Sequence, residues 1–304
     1  MPTQQPQPVR IAISTGDPLG IGPEISRAAI AAAPEGVVLV PFGTLDTWAS
    51  DGPRKARADA GRASWEALCT AIEAVKRGEC DAIVTAPISK EAWHAAGVTT
   101  HPGHTEVLAE AFESPRSGML FVGPNLTVML ATVHIPLADV STTLSVPGVL
   151  RSIELAHEAC AALGNPRARI AVAGLNPHAG EHGLLGQEDD TIIAPAVAQA
   201  RSAGIYASGP WPGDTVFNRA LRREFDAVVA MYHDQGLIPV KLIDGMESVN
   251  VTVGLSWRGR PVVRTSPAHG TAFDIVGRGM TDASSMIEAM FRAIELVRRG
   301  RGGP

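Results

Sequence analysis

The sequence is short of several things at once. Of its 304 residues only Cys69, Cys80 and Cys160 are cysteines, widely spaced and without a Cys-x-x-Cys pair. That excludes a disulfide framework and suits a reducing compartment, so a cytoplasmic protein is expected. Aromatic residues make up 5%, so the core has to be built of Ala, Val, Ile and Leu. No apolar run approaches the ~18 residues that a membrane helix needs. The opening MPTQQPQP has neither the basic nor the apolar region of a secretory signal and reads as a disordered lead-in over residues 1–8. Positive charge is not in excess either. Lys and Arg total 26 against 31 Asp and Glu, a net charge of −5, which argues against a nucleic-acid coat protein.

What is present is a globular composition, 45% hydrophobic and 19% charged, long enough for one large domain or two lobes. The 31 glycines and 23 prolines suggest many tight strand-to-helix turns. Short, nearly continuous apolar runs at 9–14, 37–42, 82–85, 126–133, 170–173, 227–231, 249–253 and 262–264 read as strands buried on both faces. Between them, 23–33, 63–77, 90–95, 106–111, 149–163, 190–202 and 283–299 read as helices. Trp65, Leu68, Ile72 and Val75 mark one face of the second. The alternation gives an α/β fold with a mostly parallel sheet. The polar stretch 49–61 reads as an exposed connection. Ligands of such folds sit beyond the carboxyl ends of strands, so the loops there carry the functional search.

The loop after the first strand, Gly16-Asp17-Pro18-Leu19-Gly20-Ile21-Gly22-Pro23-Glu24, is either a structural turn or a phosphate cradle at a helix start. Three later loops each place a histidine just past an apolar strand: His134, His178 and His233. Each alone reads as a hydrogen-bonding loop residue. Three in equivalent places also read as an open divalent-metal site, with Asp214 and Asp234 orienting the rings. His94, His101, His157, His182 and His269 read as ordinary residues, His157 on the surface, although His269 beside Gly270 also suits a site. In Pro102-Gly103-His104-Thr105-Glu106, Thr105 is the expected N-cap, and the imidazole and hydroxyl suit a bound phosphate or carboxylate. Lys241, Asn250 and Arg264, expected on or beside strands, offer an ammonium, an amide and a guanidinium to a small polyanion.

Read in order, GDPLGIGPE, GHTEVLAE, HIPLADV, LNPHAGEHGLLGQED, GPWPGDTVF, MYHDQGLIPVK, VNVTVGL and RTSPAHGTAFDIVGRG resemble the 4-hydroxythreonine-4-phosphate dehydrogenase family of pyridoxine biosynthesis, over nearly the whole chain. The resemblance implies a two-lobed α/β/α fold similar to the isopropylmalate and isocitrate dehydrogenases. The expected lobes are residues 9–133 with 265–304, and 134–264, with the active site in the cleft between them. It implies an enzyme that oxidises a secondary alcohol on a small phosphorylated hydroxy acid with NAD or NADP, followed by decarboxylation of the 3-keto acid. One divalent metal, Zn, Mg or Co, is expected on His134, His178 and His233. Substrate is expected on His104, Thr105, Lys241, Asn250 and Arg264. Lys241 and Asp214 are candidates for proton transfer, with metal-bound water a third, and a homodimer sharing its active sites is implied. Two departures point to a side branch: a shortened stretch between Phe42 and Trp65, and an inserted hairpin tip at Trp257-Arg258-Gly259-Arg260, where Arg258 or Arg260 could take over part of the role of Arg264. The substrate is then 4-hydroxythreonine 4-phosphate or a threonate or erythronate 4-phosphate, with a cis-dihydrodiol of an aromatic dicarboxylate as the alternative. Retention of His104 and Thr105 favours a phosphorylated substrate. A metal-dependent hydrolase is the rival from another class, and a binding-only protein of the same fold is a third.

Overall fold

The computed structural model describes residues 7–48, 54–101 and 103–302. The chain divides into two compact units, Met1–Pro115 with Leu255–Pro304, and Arg116–Gly254. The first unit opens with β1 (Val9–Ser14), α1 (Gly22–Ala31), β2 (Val37–Phe42), α2 (Arg54–Lys76), β3 (Ala82–Thr85), α3 (Lys90–Ala95) and α4 (His104–Ala111). The second unit contains β4 (Gly118–Val122), β5 (Thr127–Leu130), α5 (Val140–Thr143), α6 (Val146–Ala162), β6 (Ile170–Ala173), α7 (Ala194–Ser202), β7 (Ala207–Trp211), α8 (Gly213–Leu221), β8 (Ala227–Ala230), α9 (His233–Ile243) and β9 (Val249–Val253). The chain then returns to the first unit through β10 (Ser256–Trp257), β11 (Arg260–Pro261), β12 (Val263–Pro267) and α10 (Ser284–Gly300).

In the first unit the strand order is β2-β1-β3-β12, all parallel. Every residue of β3 is buried, the pattern of a strand covered on both faces. Helix α2 supplies Leu68, Ala71 and Ile72 to a core shared with Ile83, Trp93, Leu108 and Phe112. Burying a large apolar side chain of this kind stabilises by roughly 1.5–3 kcal/mol. Residues 54–61 are not the exposed connection expected from their polarity. They form the first turns of α2, where Ala56, Ala58 and Ala60 favour helix. Gly61 lets α3 approach closely, since a β-carbon there would lie 2.0 Å from the Ala92 carbonyl oxygen. Residues 49–53, and 1–6 of the expected lead-in, lie outside the described residues. The hairpin expected near Trp257 is present as the antiparallel pair β10–β11.

In the second unit the order is β9-β4-β5-β8-β6-β7, and β4 runs antiparallel to both neighbours. The tight β4–β5 turn is fixed by buried Asp244, whose carboxylate accepts from the Asn125 and Leu126 backbone N–H groups and from Asn125 Nδ2. Strands β4 and β7 and helices α8 and α9 are absent from the sequence reading. Strand β7 carries Gly209-Pro210, tolerated because among the described residues it pairs with β6 alone, at the edge of the sheet. Helix α9 contains Gly236 and Pro239, which read as breakers. A β-carbon on Gly236 would lie 2.7 Å from Leu130 Cδ2, so glycine is what lets α9 lie against β5. Among the described residues no helix is long and apolar enough to cross a membrane.

Candidate active site

His134, His233 and His178 of the second unit follow three adjacent strands, β5, β8 and β6. His134 stands four residues past β5, whose extension is tied to its neighbour by the Thr132 hydroxyl donating to the Met231 carbonyl at 2.7 Å. His233 opens α9, and its ring lies 5.7 Å, centroid to centroid, from that of His134. Two imidazoles sharing one ion, each nitrogen about 2.0–2.1 Å from it, place their ring centres roughly 5 Å apart. The pair therefore fits the first two ligands of a divalent metal. His233 Nδ1 is hydrogen-bonded to Asp234 Oδ1 at 2.7 Å, which leaves Nε2 for a ligand. His178 is not part of this pair. Among the described residues no three His, Cys, Asp or Glu side chains form a metal-holding group.

His178 instead borders a recess of about 740 Å³ with Asn176, Asp214, Tyr232, Asp234 and Ile238. Its loop is strained: His178, Ala179, Glu181 and His182 all have positive φ, between 45° and 55°. Each such residue costs of order 1 kcal/mol or more, so the surroundings have to impose the shape. Asp189 does so. It is fully buried, in a single π-helical turn, Asp189–Ile193, and its carboxylate accepts from the Leu175 and Asn176 N–H groups and from Asn176 Nδ2, at 2.9–3.1 Å. Gln235 adds a second tie, donating to the Gly174 carbonyl at 2.7 Å and accepting from Met231 N–H at 2.6 Å. Neither Asp189 nor Gln235 is among the residues that sequence reasoning singles out. The acidic run Glu188-Asp189-Asp190 after a glycine-rich loop is the one available signal.

Lys241 is not on or beside a strand. It lies in the last turn of α9, roughly 12 Å along the axis from His233 at 1.5 Å per residue. Asp214 lies in the first turn of α8. Asn250 is on β9, half-buried, with Oδ1 sealed from solvent and no hydrogen-bond partner among the described residues.

In the first unit, Arg264 on β12 is 2% exposed, and its Nη2 donates to Thr85 Oγ1 on β3 at 2.7 Å. Its pKa is pulled down to about 10 by burial, against the opposing charge of Glu106. His104 opens α4, and its Nε2 is buried without a hydrogen-bond partner among the described residues. Burial, followed by the charges of Arg264 and Lys90, holds this imidazole well below its usual pKa. Thr105 is not the N-cap. Gly103 takes that position in extended backbone, so no side chain closes the helix start. Arg258 and Arg260 lie exposed on the hairpin, Arg258 over the Trp257 ring at 5.4 Å, whereas Arg264 is buried. His157 is half-buried rather than on the surface.

The glycine-rich loop after β1 spends its peptides internally. The N–H groups of Asp17, Leu19, Gly20 and Ile21 donate to Pro87 O, Asp17 Oδ1, Asp17 O and Thr271 O. Its geometry favours the structural turn over the phosphate cradle.

Residues 25–293 match the family described as "Pyridoxal phosphate biosynthetic protein PdxA". The chain belongs to the PdxA family. It is 44% identical to the 4-hydroxythreonine-4-phosphate dehydrogenase of Beijerinckia indica subsp. indica, over 94% of each chain. It is 42% identical to the D-threonate 4-phosphate dehydrogenase of Cupriavidus necator, over 97% of this chain and 80% of that one. The solved structure of the 4-hydroxythreonine-4-phosphate dehydrogenase from Klebsiella pneumoniae superposes with a TM-score of 0.78 at 36% identity, covering 96% of this chain and 98% of that one. This PdxA-family chain is accordingly an enzyme, a dehydrogenase.

Proposed function

We propose that the chain oxidises the secondary alcohol of a small phosphorylated hydroxy acid with NAD or NADP, and that the resulting 3-keto acid loses CO₂. The substrate is 4-hydroxythreonine 4-phosphate or a threonate 4-phosphate, the substrates named for its relatives, or the similar erythronate 4-phosphate. The observation that carries this reading is the buried cationic cradle. Arg264 is held by Thr85, and the solvent-sealed Nε2 of His104 has no hydrogen-bond partner among the described residues. A buried guanidinium beside an imidazole and an open helix start is an arrangement that a phosphate completes.

His134, His178 and His233 are assigned the divalent metal, which when bound supplies Lewis-acid polarisation of substrate oxygens. NAD or NADP, when bound, would supply the hydride acceptor. Asp234 orients the His233 ring through Nδ1. Asp189 and Gln235 hold the loop that presents His178. The hydroxyl proton is assigned to Asp214 or Lys241, and Asn250 is assigned a contact near the reacting carbons.

We infer a homodimer in which His178 of one subunit completes the His134–His233 pair of the other. Its support is the spread of exposed apolar residues near these histidines: Leu137 is 70% exposed, Leu184 76%, Ile238 65% and Leu242 79%.

The test is NADH formation with each 4-phosphorylated acid, and with an aromatic dicarboxylate cis-dihydrodiol, in the presence of metal. Turnover of a phosphorylated acid, lost in Arg264→Met, supports the reading. Preference for the unphosphorylated dihydrodiol overturns it.

A further inference from the structure

Resting on that reading of the cradle, we infer that Lys90 is a further phosphate-binding residue of the site, facing the same anion as Arg264 and His104.

Lys90 is placed by its neighbours. Strand β3 ends at Thr85, the residue that holds Arg264, and the chain then turns into α3. Ser89 caps that helix, accepting from the Ala92 N–H at 3.1 Å, and so makes Lys90 its first residue. Across the gap, Gly103 caps α4 with no side chain of its own. A β-carbon on Gly103 would lie 3.6 Å from Lys90 Cε and 3.4 Å from Glu106 Oε2. Glycine therefore leaves open the space between the lysine stem and the start of α4, next to His104.

Local structure gives no reason for a lysine here. The start of a helix carries partial positive charge and favours acidic residues. Lys90 stands at one helix start and beside another, with the guanidinium of Arg264 close enough to act on the same imidazole. The adjacent Glu91 is paired with Arg57 at 3.5 Å. Among the described residues Lys90 has no ion-pair partner. Among the described residues two cations, Arg264 and Lys90, act on the His104 imidazole, and the carboxylate of Glu106 acts on Arg264. An incoming dianion relieves that imbalance, with Lys90 as a flexible point charge that closes over it from the exposed side.

The experiment titrates inorganic phosphate into wild type, Lys90→Met and Lys90→Arg by calorimetry, with thermal unfolding as a check on folding. Lys90→Met should bind phosphate roughly 10- to 100-fold more weakly than wild type, the loss expected for one charge-assisted hydrogen bond. Lys90→Arg should recover most of it. In turnover, the loss should appear mainly in KM, and far more for a phosphorylated acid than for its unphosphorylated analogue. Lys90→Gln replaces Lys90→Met if the latter does not fold. Equal phosphate affinity in wild type and the neutral variant overturns the assignment. The titration needs no catalysis, so the two readings fail separately. A wild type that binds phosphate through Lys90 but oxidises none of the acids removes the proposed reaction and keeps Lys90. A wild type that oxidises them and is indifferent to Lys90 does the reverse.

Discussion

Around Arg264 the polar groups are buried and already positioned by their own chain: the guanidinium rests on Thr85, and the His104 imidazole packs edge-on against buried Trp93, centroids 5.7 Å apart. Around the metal candidates the reverse holds. His134 and His178 are exposed, and the loop bearing His178 keeps its strained shape through Asp189. A binding group that must discriminate charge gains from burial, because a low dielectric strengthens each contact. A group that must meet a ligand from elsewhere has to stay at the surface, and the chain then spends buried carboxylates on holding its backbone.

The comparison is tested most severely at Arg264. Arg264→Met removes a charge from a buried setting and leaves Thr85 without its donor. The expected loss in kcat/KM on a phosphorylated acid is about 2–4 kcal/mol, or roughly 30- to 1,000-fold. Steady-state kinetics measure it. A loss under threefold means that the cradle does not hold the reacting substrate.

Subunit mixing comes next. His134 and His233 are neighbours in one chain and His178 is not. Mixing inactive His178→Ala with inactive His134→Ala should restore one intact site per mixed dimer, up to about half of wild-type activity per such dimer. Mixing His134→Ala with His233→Ala should restore none, because both lesions fall on the same side of every site. Recovery in the second mixture, with exchange demonstrated, shows that the ligands are shared differently.

A smaller effect is expected at Asp189. Asp189→Ala frees the Leu175 and Asn176 N–H groups and releases the His178 loop. Metal affinity should fall about 10- to 100-fold, the usual cost of losing a supporting partner. Phosphate affinity should stay as in wild type. Parallel metal and phosphate titrations separate the two regions, and equal losses in both mean that the fold, not the loop, was damaged.

Legibility in the sequence follows the same division. Strands β3, β6 and β8 stand out because burial on both faces leaves an unbroken apolar run. Helix α9 does not, since Gly236 and Pro239 serve its packing at the cost of its pattern. The candidate site residues were visible as unusual side chains in loops after strands. Their grouping was not, because ring-to-ring distance has no periodicity in the chain. Lys241 looked like a strand neighbour only because α9 was unseen. Asp189 stayed hidden for another reason. Besides the Asn176 side-chain amide, its partners are backbone N–H groups 13 and 14 residues away, and a peptide donor leaves no mark in a sequence.

The smallest expected effect lies in the pH dependence of stability, and it belongs to the buried region. His104 has a folded-state pKa well below that of an unfolded histidine, from burial first and then from Arg264 and Lys90. Between the depressed value and the unfolded value of ~6.5, the unfolded chain binds a proton that the folded chain does not. Stability therefore rises with pH through that window. The contribution is fully present above about pH 6.5 and is lost as pH falls towards the depressed value. One group gives a slope of at most ~1.4 kcal/mol per pH unit. Denaturant unfolding of wild type and His104→Gln between about pH 5 and 7.5 should show a shallower slope in the variant. Saturating phosphate should also flatten the wild-type slope, because an anion in the cradle favours the imidazolium. If phosphate flattens neither the slope nor its difference from the variant, His104 does not face the anion, and the buried region is a structural core rather than a binding one.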